Sequence, residues 1–205
     1  MAWPRLGPVL GILQTTVEHA QEDYRAGSRA VVLELAWDRA EPAPGWFDYN
    51  YLVEKQAEME AYQLLRYQVT LDLGMQYPPA WVFDLPHARY MNQFGDVFCS
   101  SEPGVDIPNA VFSQAVRDAQ ERYVRHVFRV LRDDFVLVRL GWMKYGELAY
   151  PAQQFNGHAN CYWSFGDLAQ GKATGLAQGL APCPTPGWLP GSGLSTPTTA
   201  RDFLV

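Results

Sequence analysis

The chain has 205 residues, 48% hydrophobic and 19% charged, which suits a sizeable core and excludes a disordered chain. Its net charge of −6 has the wrong sign for gripping polyanions, because phosphate neutralisation supplies most nucleic-acid affinity. No run of about 18 apolar residues is present, so no membrane span is predicted, and the start lacks the basic-then-apolar layout of a signal peptide, which favours an intracellular protein.

In chain order, Val9 to Leu13 reads as a first short strand. Thr15 and Glu18 have the spacing of a capping box, opening a helix that Gly27 would stop. Ala30 to Ala36 reads as a second strand, apolar enough for burial on both faces. Asp48 would cap a helix from about 49 to 65, with Val53, Ala57, Ala61 and Leu64 on its packed face. Tyr67 to Leu73 is the third strand. A helix follows over about 110–131, with Val116, Ala119, Tyr123, Val127 and Leu131 inward. Arg122, Arg125, Arg129 and Arg132 lie opposite, read as a solvated face rather than a phosphate patch.

Phe135 to Leu140 is the fourth strand. A long stretch rich in Gly, Pro, Ser and Thr covers about 152–197, and Thr198 starts what reads as another helix. Four strand-then-helix units in series imply a parallel sheet. No Gly-x-Gly-x-x-Gly follows the first strand, so a dinucleotide-binding sheet has no support. The unusual residues gather after the strands, where a (β/α)8 TIM barrel places its chemistry. A full barrel needs about 250 residues. Residues 1–205 therefore read as one α/β unit, the N-terminal half of such a barrel.

The candidate catalytic residue is Glu147, in the stretch Gly141-Trp142-Met143-Lys144-Tyr145-Gly146-Glu147-Leu148-Ala149-Tyr150-Pro151. Aromatic neighbours would desolvate its carboxyl and raise its pKa. A carboxylic acid kept protonated can donate to a leaving glycosidic oxygen. Gly141 and Gly146 permit close backbone approach and unusual dihedrals. Trp37, Trp81 and Trp142 each follow a strand and could cover the apolar faces of sugars, with core packing as the alternative. Glu34 interrupts an apolar strand and needs a polar partner, such as a sugar hydroxyl; Asp72 repeats the pattern more weakly. Tyr77 and Tyr145 complete the candidate substrate-binding set. The odd count of cysteines, Cys99, Cys161 and Cys183, is no disulfide framework. They read as free thiols, with a zinc site including His158 as the alternative. No metal or cofactor is expected.

These residues carry a resemblance. Gly146 to Pro151 (GELAYP) resembles the Gly-Glu-Leu-x-Tyr-Pro motif of the β-amylases, glycoside hydrolase family 14. In that family the motif's glutamate, here Glu147, is the general acid. Val31 to Leu52 resembles the second-strand region of β-amylases and is equally similar to a stretch of family 42 β-galactosidases. Glu34 falls where β-amylases place a sugar-binding aspartate. Pro78 to Val82 resembles the segment after strand three of both families, and Trp163 to Gln170 looks like the segment following the β-amylase acid. The resemblance covers roughly residues 9–170.

It departs in places. Gly146 stands where retaining barrel glycosidases usually carry Asn, which favours the inverting, β-amylase-like side. The β-amylase loop His-Gln-Cys-Gly-Gly is absent. Both families place their second carboxylate in the later half of the barrel. Family 42 enzymes often carry a cysteine-bound zinc in the loops after strands three and four, where the three cysteines lie with different count and spacing.

The resemblance implies a glycoside hydrolase acting on an oligosaccharide or glycoside, with this chain inactive alone. The alternatives are a saccharide-binding half-barrel that self-associates through unpaired strand edges, or another barrel enzyme such as a lyase or isomerase.

Overall fold

The computed structural model describes residues 9–132, 135–141, 144–147 and 151–192. Its frame is a four-stranded parallel sheet, in spatial order β1 (Gly11–Ile12), β2 (Ala30–Glu34), β3 (Gln68–Asp72) and β4 (Leu137–Arg139). Between the strands run α1 (Val17–Arg25), the short α2 (Trp37–Ala40), α3 (Tyr49–Leu64) and α4 (Gln114–Leu131). The expected element order is present, with every strand shorter than the apolar run that announced it. The helix expected from Thr198 lies outside the described residues.

Side chains alternate along each strand. Val31, Leu33, Val69 and Leu71 are buried in the main core with residues of α1, α3 and α4. The opposite face is covered less: Glu34 is exposed, and Val32 and Thr70 are half-buried. Burial of β2 on both faces is thus corrected to burial on one.

α4 behaves as its periodicity predicts. Val116, Ala119, Tyr123, Val127 and Leu131 are all buried, each large apolar side chain contributing about 1.5–3 kcal/mol. The Ser113 hydroxyl caps it by accepting from the Val116 N–H at 3.3 Å. α3 does not follow the predicted face. Asp48 caps it as expected, accepting from the Tyr51 N–H at 3.1 Å. But Tyr51, Leu52, Met59 and Tyr62 are the buried residues, while Val53 and Leu64 are exposed. The two tyrosines bury their rings because their hydroxyls find backbone partners. Tyr51 Oη accepts from the Ala36 N–H, and Tyr62 Oη donates to the Thr15 carbonyl. The capping box expected at α1 is also corrected. Thr16 holds the N-cap position without a side-chain cap, and the Thr15 hydroxyl bonds the Asp23 carboxylate instead.

The segments after β3 and β4 pack on each other. Tyr90, Phe98, Ile107, Cys161 and Trp163 form a second apolar cluster. Gln93 ties it together as a surrogate backbone. Its amide donates to the Asn160 carbonyl at 2.7 Å and accepts from the Tyr162 N–H at 2.8 Å. The Trp188 indole donates to the Gln93 carbonyl at 2.8 Å. The Gly- and Pro-rich stretch is irregular as expected, yet its described part is anchored. Among the described residues, no helix is long and apolar enough to cross a membrane.

Candidate functional site

The parallel register places Glu34, Asp72 and Arg139 in one row across the C-terminal end of the sheet. All three alternate with core-facing neighbours, so they share the face opposite the helices. Arg139 donates to Asp72 Oδ2 at 2.7 Å, and the Gly74 N–H donates to Asp72 Oδ1 at 2.9 Å. Asp72 is 1% exposed, so its charge is matched where burial would otherwise be costly. Glu34 remains exposed beside the pair.

Arg139 has a second task. It donates to the Tyr145 carbonyl at 3.1 Å, so the strand-end ion pair grips the loop that carries Glu147. That loop is tightly wound. Tyr145 and Gly146 have φ of 55° and 73°. A Cβ on Gly141 would stand 1.6 Å from the Gly146 carbonyl oxygen, so only glycine fits. The Tyr145 N–H donates to the Gly104 carbonyl at 2.7 Å, and its hydroxyl donates to Glu102 at 2.5 Å. That bond to a carboxylate raises the tyrosine pKa above its ordinary value.

Glu147 follows directly and is exposed. The desolvated surroundings expected for it are not built by its described neighbours. Trp142 and Tyr150, on which that expectation also rested, lie outside the described residues. The tyrosines that are described take different places. Tyr145 is about half exposed, and Tyr77 is half-buried at the edge of a cleft.

Trp37 and Trp81 depart from the expected sugar platforms. Trp37 is fully buried, stacked on Tyr123 at 5.3 Å and edge-on to Trp81 at 5.9 Å. Its indole N–H donates to Glu41 Oε2 at 2.9 Å. Trp81 is half-buried on the same side, its indole donating to the Glu41 carbonyl at 3.0 Å. Trp37 therefore presents no face to a ligand. Glu41, unremarked in the sequence, is the hub. Fully buried, it also accepts from the Gly45 N–H at 2.8 Å and from Arg122 at 2.8 and 3.0 Å. The arginine face of α4 is thus not wholly solvated: Arg122 pairs with Glu41, and Arg125 with Glu121.

The zinc alternative finds no assembled donor set. His158 Nδ1 pairs with Asp96 at 2.9 Å and stacks on Phe94. Cys161 is buried, while Cys99 and Cys183 are exposed. Among the described residues no three His, Cys, Asp or Glu side chains converge on a point that could hold a metal.

A cleft of about 510 Å³ opens at the same end of the sheet, lined by Asp38, Gln76, Tyr77, Phe83, Arg89 and Glu102 among others. Asp38 is exposed as a residue, and partial burial of its carboxyl raises its pKa. Arg89 is held by both oxygens of Asp106, at 3.0 and 3.3 Å.

No protein-family model and no curated protein matches the chain. Solved structures do. The β-amylase catalytic domain of Paenibacillus polymyxa superposes with a TM-score of 0.55 at 16% identity, covering 96% of this chain and 57% of that one. A glycoside hydrolase (GH5_18) of Bifidobacterium longum subsp. infantis gives 0.41 at 12% identity, covering 60% of this chain and 26% of that one. A β-galactosidase of Marinomonas ef1 gives 0.44 at 23% identity, covering 58% and 18%. The chain thus spans well under two thirds of these proteins. It has the fold of part of a (β/α)8 barrel: four parallel strands, with helices in the three connections between them among the described residues.

Proposed function

We propose that the chain is the first half of a (β/α)8 glycoside hydrolase in which Glu147 is the general acid. The observation that carries this reading is the bracing of the Glu147 loop. Arg139, fixed by Asp72, holds the Tyr145 carbonyl, and Gly141 lets the loop close on Gly146. A proton donor must sit at a fixed point relative to the bond it cleaves. Glycosidic cleavage also needs a second carboxylate across the sugar, which this reading assigns to residues beyond Val205. Glu34, at the same end of the sheet, would bond sugar hydroxyls.

The test uses the complete reading frame that encodes these residues. Hydrolysis of a panel of α- and β-linked oligosaccharides is compared for the parent and Glu147→Gln. The expected loss is about 10²–10⁴-fold in kcat, with unchanged melting temperature. Equal rates would remove Glu147 from the chemistry. The 205 residues alone are expected to show no hydrolysis, and a rate that falls with Glu147→Gln would overturn that part.

A second reading is a self-associating half-barrel that only holds saccharide. It is favoured by the open side of the sheet, where Leu13 and Leu137 are 76% and 64% exposed.

A further inference from the structure

The cleft beside the Glu147 loop has a chemical character of its own. Asp38, Asp84 and Glu102 line it, and no cation pairs with them among the described residues. The basic lining residue, Arg89, is bound by Asp106. The charge left over is negative. An acidic wall alone says little, but the floor adds a second observation. Gln76 is 3% exposed, and its Oε1 is buried with no hydrogen-bond partner among the described residues. A buried acceptor left unmet costs about 1–3 kcal/mol, so a group that persists unmet is poised for a donor from outside. Gln76 also lies under the catalytic candidate's loop: a Cβ on Gly146 would be 3.3 Å from its Cδ. Tyr77 supplies apolar ring surface in the same cleft, while the Phe83 ring is covered by the Arg89 guanidinium, 4.0 Å from its centroid.

We propose that this cleft is a subsite for an amino sugar, a saccharide unit whose protonated amine and hydroxyls supply donors to Gln76 Oε1 and to the carboxylates. The inference rests on the glycosidase reading above and specifies its substrate class. Uronic acids and sugar phosphates would meet like charge and find no unpaired cation among the described lining residues. A neutral sugar could satisfy Gln76 but would leave the carboxylates without a counter-charge.

The experiment is calorimetric titration of the 205-residue protein, at slightly acid pH and low salt. The probes are a β-1,4-linked glucosamine tetramer, its fully N-acetylated form and a galacturonate trimer. The glucosamine tetramer is expected to bind tightest and the galacturonate weakest. Gln76→Leu should weaken the glucosamine tetramer about tenfold without lowering the melting temperature, since an apolar side chain replaces an unmet acceptor. Glu102→Gln, at an exposed position, should weaken it about two- to fivefold. Equal affinity in Gln76→Leu, or equal or tighter binding of the acetylated or uronate probe, overturns the proposal. Hydrolysis dependent on Glu147 but without amino-sugar binding would overturn the subsite alone and leave the general acid in place.

Discussion

Arg139 on β4 reaches Asp72 on β3 at 2.7 Å and, with its other terminal nitrogen, holds the Tyr145 carbonyl at 3.1 Å. One guanidinium thus couples the sheet to the loop of the proposed acid. Arg139→Met should cost about 1–3 kcal/mol, because Asp72 would stay buried with only the Gly74 N–H as partner. The figure stays below that of a fully buried pair, since the Arg139 side chain is 40% exposed and water screens it. Urea unfolding measures it. A midpoint equal to the parent's would show the pair to be unimportant for stability.

The glycines after β4 should rank by surroundings. Gly141→Ala drives a methyl group into the Gly146 carbonyl, and the loop must move. Gly157→Ala meets nothing within 4 Å but keeps a φ of 79°, costing about 1 kcal/mol. Thermal melts should therefore show a clearly larger loss at Gly141. Equal losses would mean that the close approach at Gly141 is not maintained in solution.

Glu41 is the heaviest single dependency in the core. Glu41→Ala strands the Trp37 indole N–H, the Gly45 N–H and two Arg122 donors. The buried indole N–H left unmet costs about 1–3 kcal/mol. The exposed Gly45 and the Arg122 side chain, 42% exposed, turn to water instead, so the loss stays below that of a fully buried pair. Trp37→Phe should lower stability too, yet leave saccharide binding unchanged because the indole is fully buried. Weakened saccharide binding at full stability would return Trp37 to the site.

Much of this is legible in the sequence, and what is not has separate physical causes. α4 is legible because its packed residues recur with the helical period, Tyr123 included, whose hydroxyl donates to the Leu73 carbonyl. The packed face of α3 is less legible, because Tyr51 and Tyr62, whose hydroxyls find backbone partners, take the place expected for smaller apolar residues. Trp37 lies just beyond β2 as expected, but points into the core. Counting by two from Leu33 and Leu35 puts it on the core side, opposite Glu34. Glu41 could not be found, since its partner Arg122 lies 81 residues away. The Arg139–Asp72 pair spans 67 residues and needed the strand register to appear.

Two carboxylates should give opposite pH signatures. Asp96 is lowered, chiefly by a hydrogen bond from Asn92 and also by His158 and Asn156. A lowered folded pKa means that the unfolded chain binds more protons. Its stabilisation is then present above the unfolded value of about 3.9 and is lost as pH falls through the folded value. Asp38 is raised by burial. There the folded chain binds more protons, so stability falls as pH rises from the unfolded value through the folded one. Asp38→Asn should therefore stabilise at neutral pH, an advantage that fades below about pH 4. Asp96→Asn should destabilise at neutral pH, and that loss should also fade on acidification. Unfolding curves at several pH values separate them, and a common sign would contradict both assignments.

The open face of the sheet yields the last expectation. Among the described residues β1 and β4 pair on one side only, and Leu13, Val136, Leu137 and Leu140 are all more than half exposed. Unpaired strand edges beside apolar side chains favour association. The 205-residue protein should therefore exceed 23.1 kDa in solution, with a mass that rises with concentration. Leu137→Lys places a charge at the start of the edge strand β4 and should shift the equilibrium toward the monomer. Light scattering across a concentration series measures both. A parent that stays monomeric at high concentration, with a cooperative melt, would mean that the open face is tolerated by water, and the self-associating reading would fall.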